Sequence, residues 1–115
     1  MDNSKEILSI LNDDESRNIL KKLLSEELTI QQISSTLNIS QSSAYRKIRR
    51  LEDAGLIKKS KVIRTLDGSD ENYYKSAVYQ IEVLFKSGDL SVKIEKFKME
   101  DKIVRMWEKF SNNKS

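Results

Sequence analysis

The residues with the most specific chemistry lie between Ser40 and Leu56, in the run Ser-Gln-Ser-Ser-Ala-Tyr-Arg-Lys-Ile-Arg-Arg-Leu-Glu-Asp-Ala-Gly-Leu. Their chemistry is recognition rather than bond making. Gln41 and Ser42 offer short polar groups, Tyr45 an amphipathic ring, and Arg46 and Arg49 charged hydrogen-bond donors. On one helix face, short polar groups first and arginines further along suit the edges and phosphates of a DNA major groove. The spacing places them on such a face. Ala44, Ile48 and Leu51 recur at i, i+4 and i+7, which is one buried stripe. Gln41, Ser42, Tyr45, Arg46 and Arg49 then fall opposite that stripe. Ser40 is a good N-cap, and Gly55 stops the helix where a left-handed residue is wanted. A solvated basic face on an ordinary surface helix would show the same pattern, so this stretch alone leaves both readings open.

Charge sharpens the choice. Across 115 residues the net charge is only +3. From Gln41 to Arg64, however, eight basic residues face two acidic ones, a local +6 that leaves −3 for the rest. A basic stripe on a slightly acidic body is the electrostatic footprint of a polyanion-binding face. Cysteine and histidine are both absent. That removes disulfides, the commonest metal ligands and the commonest general base near neutral pH, so neither a metal nor a cofactor is expected. The glycines, Gly55, Gly68 and Gly88, each suit a cap or turn, and none builds a phosphate-cradling loop. Asp13 with Asp14 and Asp67 with Asp70 read as a helix start and a turn rather than catalytic pairs, so an enzyme is not expected. No apolar run is long enough to cross a bilayer. Met1 to Lys5 lacks a basic-then-apolar signal pattern, which predicts an intracellular, cytoplasmic protein.

The elements that must position this face can be read in order. Lys5 to Leu11 predicts a short amphipathic helix with Ile7, Leu8 and Leu11 apolar. Asn12 with Glu15 resembles a reciprocal cap opening a helix to about Ser25, whose inward face is Ile19, Leu20, Leu23 and Leu24. Leu28 reads as a short extended segment. Thr29 with Gln32 has capping-box spacing, and Ile30, Ile33 and Leu37 give the next helix its buried side. Asn38 tolerates the left-handed turn before the basic helix. Two short helices meeting across a tight turn make a helix-turn-helix.

After Gly55 the period changes to two. Ile57 to Leu66 and Asn72 to Val78 read as strands joined by Asp67-Gly68-Ser69-Asp70, a wing beside the basic helix. Lys58, Lys59, Lys61 and Arg64 lie on its outgoing strand, whereas Asp67, Asp70 and Glu71 make the tip acidic. Such a wing should meet a phosphate backbone from its flank. Tyr79, Ile81, Val83 and Phe85 alternate before Ser87-Gly88-Asp89, and Leu90, Val92 and Ile94 alternate back. This second hairpin is expected to extend the wing sheet or fold over its rear as structural support, the alternative being a site for a partner or small ligand. Met99 to Ser111 predicts a last helix carrying Ile103, Trp107 and Phe110. Its apolar surface, with Ile7 and Leu11 of the first helix, predicts a homodimer, the alternative being that Trp107 caps the core of a monomer. The expected fold class is α+β: a mostly helical winged helix-turn-helix with a β wing, an extra hairpin and a C-terminal helix. Residues 1–78 form the DNA-binding part, and 79–115 the hairpin extension and dimerisation helix of the same globular unit.

From Asn12 to about Tyr79 the chain resembles winged-helix transcriptional regulators of the arsenic-repressor-like (ArsR-type) and related MarR-like groups, most closely small archaeal-type members. The resemblance rests on Ser16-Arg17-Asn18-Ile19-Leu20, Leu28-Thr29-Ile30, Ile39-Ser40-Gln41-Ser42-Ser43 and Leu51-Glu52-Asp53-Ala54-Gly55-Leu56-Ile57. It implies that Gln41, Ser42, Tyr45 and Arg46 face bases while Thr29, Gln31, Ser40 and Arg49 sit near phosphates. Tyr45 is bulky where such helices often hold a small residue. Metal-sensing members use cysteines and histidines, so metal sensing is not carried over. With Ser43, Arg50, Lys58, Lys61 and Arg64 these residues complete the candidate DNA-binding set. The expected function is sequence-specific recognition of double-stranded DNA by a homodimeric transcriptional regulator, with recognition helix 40–54 in the major groove. The alternative is a winged-helix module that docks on protein within a transcription assembly. The +6 segment argues against it, because protein-docking faces are depleted in lysine.

Overall fold

The computed structural model describes residues 3–97, in the order α1 (Ser4–Leu11), α2 (Asp14–Ser25), α3 (Ile30–Leu37), α4 (Gln41–Asp53), β1 (Ile57–Arg64), β2 (Asp70–Ser76), β3 (Val78–Lys86) and β4 (Asp89–Lys96). The expected helix from Met99 to Ser111 lies outside the described residues.

Local chemistry explains where the helices start and stop. Thr29 and Gln32 cap α3 reciprocally: the Gln32 amide donates to Thr29 Oγ1 at 3.1 Å and the Thr29 amide to Gln32 Oε1 at 2.9 Å. The Ser43 amide donates to Ser40 Oγ at 3.1 Å to open α4. Asn38, at φ 56°, makes the left-handed turn between these two helices. Gly55, at φ 78°, ends α4, with the Leu56 amide returning to the Leu51 carbonyl at 3.0 Å. The cap of α2 corrects the expectation at Asn12 and Glu15. Asp13 is the N-cap, one residue later, and its Oδ2 accepts from the Ser16 amide and hydroxyl at 3.2 and 2.6 Å.

The core lies where the four helices meet the root of the wing. Ile7, Ile10, Ile19, Leu23, Ile33, Ala44, Ile48, Leu51, Leu56, Ile57, Tyr74 and Val78 are all buried. Each fully buried Ile or Leu contributes about 1.5–3 kcal/mol relative to exposure, so the α4 stripe anchors that helix firmly. The wing pairs β1 with β2 antiparallel from Ile57↔Ser76 to Arg64↔Asp70, with an irregularity between Lys59 and Lys61. Leu28 ties it to the helices through an isolated bridge, exchanging backbone bonds of 3.1 and 2.8 Å with Tyr74.

The second hairpin does not extend the wing sheet. Strands β3 and β4 form a separate two-stranded sheet. The buried Ser76 hydroxyl receives the Val78 amide at 3.2 Å and donates to the Val78 carbonyl at 2.7 Å, which turns the chain out of the first ladder. Ile81, Val92 and Ile94 pack against the core, whereas Val83, Leu84 and Phe85 project beyond it. Structural support is therefore confined to the root of this hairpin.

Candidate nucleic-acid interface

Helix α4 sorts its four cations between two faces. Ala44, Ile48 and Leu51 are buried, and Gln41, Ser42, Tyr45, Arg46 and Arg49 are exposed on the opposite side. Lys47 and Arg50 lie between, turned toward the first two helices. Lys47 Nζ sits 2.5 Å from Asp13 Oδ2 and 3.5 Å from Glu15 Oε1. Arg50 reaches back to α1, with Nε 2.6 Å from Glu6 Oε1 and Nη2 2.6 Å from Ser9 Oγ. These contacts hold the Glu6 carboxyl below its ordinary value, chiefly through Arg50. They hold Asp13 at about 2, through Lys47 first and Ser16 second.

The outward cations differ. Arg46 Nη2 donates to Ser43 Oγ at 3.3 Å, and Arg49 Nη1 to Tyr45 Oη at 3.2 Å. Neither enters an ion pair within 4 Å among the described residues. Tyr45, and behind it the charges of Asp53 and Glu52, hold the Arg49 guanidinium above its ordinary value. A buried stripe, two clamped cations and two projecting ones therefore share one helix of 13 residues. It is about 20 Å long at 1.5 Å per residue.

The wing is less positive than its sequence. Lys61 Nζ lies 3.4 Å from Glu27 and 4.7 Å above the Tyr73 ring centroid. Arg64 Nε lies 3.5 Å from Asp70 on the facing strand. Carboxylates outside the 41–64 block thus meet Lys47, Arg50, Lys61 and Arg64. Lys58 and Lys59 are exposed at the root of β1. Lys59 lines a depression between α4 and the wing with Tyr45, Arg49, Glu52, Asn72 and Tyr74. Burial pushes the Tyr74 phenol up. At the tip, Asp67 accepts from the Thr65 hydroxyl and from the Ser69 amide and hydroxyl, which hold it at about 2 and keep the tip negative.

Of the expected residues, Tyr45 and Arg49 share one depression, and Arg46 borders another with Arg49 and Arg50. Thr29 and Ser40 are spent as caps at the N-termini of α3 and α4, with Gln31 exposed in the first turn of α3. Ser43 is half-buried and bonds Arg46. Arg50 departs from the expectation: its guanidinium is committed to Glu6 and Ser9, which makes it a brace for α4. Ile7 departs too. It is 1% exposed within this chain, so it holds α1 in the core and offers no dimer face. Leu11 packs partly against that core, and Ile103, Trp107 and Phe110 lie outside the described residues. The clamp of Lys47 on Asp13 and Glu15 was missed. Its signal was the helical wheel, which turns Lys47 away from Arg46 and Arg49. Among the described residues no cluster suits a metal ion, and no helix is long and apolar enough to cross a membrane.

Known proteins supply a frame for this geometry. The family described as bacterial regulatory protein, arsR family, matches residues 13–59, which hold α2, α3, α4 and the start of β1. The crystal structure of NolR from Sinorhizobium fredii is similar with a TM-score of 0.52 at 22% identity, over 64% of this chain and 68% of that one. No curated protein matches the chain. The chain thus has an α+β winged-helix fold whose residues 13–59 are similar to the arsR family of bacterial regulatory proteins.

Proposed function

We propose that this protein is a transcriptional regulator that binds double-stranded DNA sequence-specifically as a homodimer, with α4 in the major groove. The observation that carries the reading is the division of cations on α4. Lys47 and Arg50 are neutralised against α1 and α2, and Arg46 and Arg49 are left projecting beside Gln41, Ser42 and Tyr45. A helix held this way enters a groove about 12 Å wide without losing its seat on the core.

Gln41, Ser42, Tyr45 and Arg46 then face base edges, where bidentate contacts discriminate, and Arg49 faces phosphate. Thr29, Gln31 and Ser40 stand at helix starts, where the helix dipole and the first-turn amides outside the caps suit phosphate oxygens. Lys59, next to Lys58, approaches the backbone from the wing root, and Lys61 and Arg64 are weaker than Lys59 because carboxylates already face them. A two-fold axis places two such helices in successive major grooves, about one helical turn apart.

Selection from a random duplex pool tests the reading. It should return a two-fold-symmetric sequence that loses affinity as salt rises. Recovery of no preferred sequence, with negligible binding to random duplex even at low salt, would refute it.

A further inference from the structure

We propose that the free edge of β3 is the seam of the homodimer, pairing antiparallel with β3 of a second copy about a two-fold axis at Leu84. The inference rests on the dimer assigned under the proposed function and names the surface that builds it.

The observation is an apolar run on a strand whose outer edge pairs with no other strand among the described residues. Val83, Leu84 and Phe85 are consecutive and 45, 55 and 71% exposed, beyond the part of the hairpin that packs on the core. An isolated two-stranded ribbon with a long apolar edge is marginal in water and is a template for another strand. The other edges are better defended. Strand β1 carries Lys58, Lys59 and Lys61, and lysines along an edge disfavour pairing with another strand. On β4, Lys93 already lies 3.3 Å from Glu95.

The ladder sets the register. Ser87 and Gly88, with φ of 53 and 80°, form a two-residue loop between the paired Lys86 and Asp89. Counting back from that closed pair, the backbone groups of Ile81, Val83 and Phe85 point away from β4 toward the open edge. Several self-pairings use those groups, and the one centred on Leu84 sets the exposed run Val83–Phe85 wholly against its copy. Centring on Val83 places Glu82 opposite a leucine. Centring on Leu84 places Glu82 opposite Lys86 of the second copy and Val83 opposite its Phe85. Lys86 has no ion pair among the described residues, and Glu82 only accepts from the Gln80 side chain at 2.5 Å. Charge complementarity therefore selects Leu84.

In this register Leu84 faces itself in a non-hydrogen-bonded pair. Its Cα atoms would be about 4.5 Å apart, within disulfide reach. The chain has no cysteine, so single cysteines report the seam without background. Under mild diamide oxidation Leu84→Cys should run as a covalent dimer on a non-reducing gel. Glu82→Cys and Lys86→Cys should cross-link when mixed but not separately, and Ser91→Cys on β4 should stay single. Light scattering on the unmodified protein reads the assembly independently. A dimer by scattering in which Leu84→Cys does not cross-link, or cross-links no better than Ser91→Cys, overturns the seam and leaves the dimer standing. A monomer by scattering overturns both.

Discussion

Replacing Lys47 with methionine removes the charge that clamps α4 to the start of α2 and keeps most of the side chain's apolar length. In the structure Lys47 Nζ meets Asp13 at 2.5 Å and Glu15 at 3.5 Å, and the Lys47 and Asp13 side chains are 18 and 30% exposed. The Asp13 carboxyl is held at about 2 instead of 3.8, with Lys47 the largest cause and Ser16 next. One pKa unit corresponds to about 1.4 kcal/mol, but solvent screening and the share owed to Ser16 reduce the part due to Lys47 to about 1–1.5 kcal/mol. For a domain of this size the melting temperature should fall by about 4–10 °C at pH 7. The sign follows from the depressed carboxyl. Its stabilisation is complete above the unfolded value near 3.8 and drains away as pH falls through about 2. The wild-type advantage over Lys47→Met should therefore shrink between pH 4 and pH 2. Thermal denaturation of both proteins across that range measures it. An advantage as large at pH 2 as at pH 7 would show that packing, not charge, seats α4, and would refute the clamp.

Three further outcomes follow from the same geometry. Arg46→Ala should weaken binding to the selected sequence by about 1–3 kcal/mol and relax base preference at one position, as read by binding to single-base variants of the site. Lys59→Ala should weaken all sequences alike and reduce the salt slope by about 0.9, whereas Lys61→Ala should change it less because Glu27 lies 3.4 Å away; equal slopes for the two would contradict the wing electrostatics. Gly55→Ala should destabilise the fold by about 1–2 kcal/mol in urea titration, because φ of 78° strains any residue with a Cβ. Among the described residues the nearest atom to that Cβ, Lys96 Nζ at 3.3 Å, is a flexible end that can move aside.

What could be read from the residues alone was local. Thr29 with Gln32, Ser40, Asn38 and Gly55 act within a few positions of themselves, and each does in the structure what its chemistry suggests. The apolar stripe of α4 was equally plain, because a period of 3.6 specifies one face. Long-range pairing was not legible. The partners of Lys47 and Arg50 lie 34 and 44 positions away, so a +6 segment looked like one continuous field although Lys47, Arg50, Lys61 and Arg64 have acidic neighbours. The α2 cap lies at Asp13 rather than Asn12 for a local reason, its carboxylate accepting from Ser16 three residues on. Alternation showed that Tyr79 to Ile94 would be a hairpin, but not that the Ser76 hydroxyl would detach it from the wing. Ile7 was recognisably apolar; that its face turns inward depended on packing no local pattern encodes.

The central claim is that α4 holds its seat with one pair of cations and meets DNA with another. Arg49 and Arg50 are adjacent and chemically identical, yet one projects beside Tyr45 and the other is bonded to Glu6 and Ser9. The salt dependence of DNA affinity, measured for Arg49→Ala and Arg50→Ala against the parent protein, tests that division. The account predicts a slope lower by about 0.9 for Arg49→Ala and unchanged for Arg50→Ala, whose cost appears in stability. Equal slopes for the two variants, or a loss confined to Arg50→Ala, would contradict it.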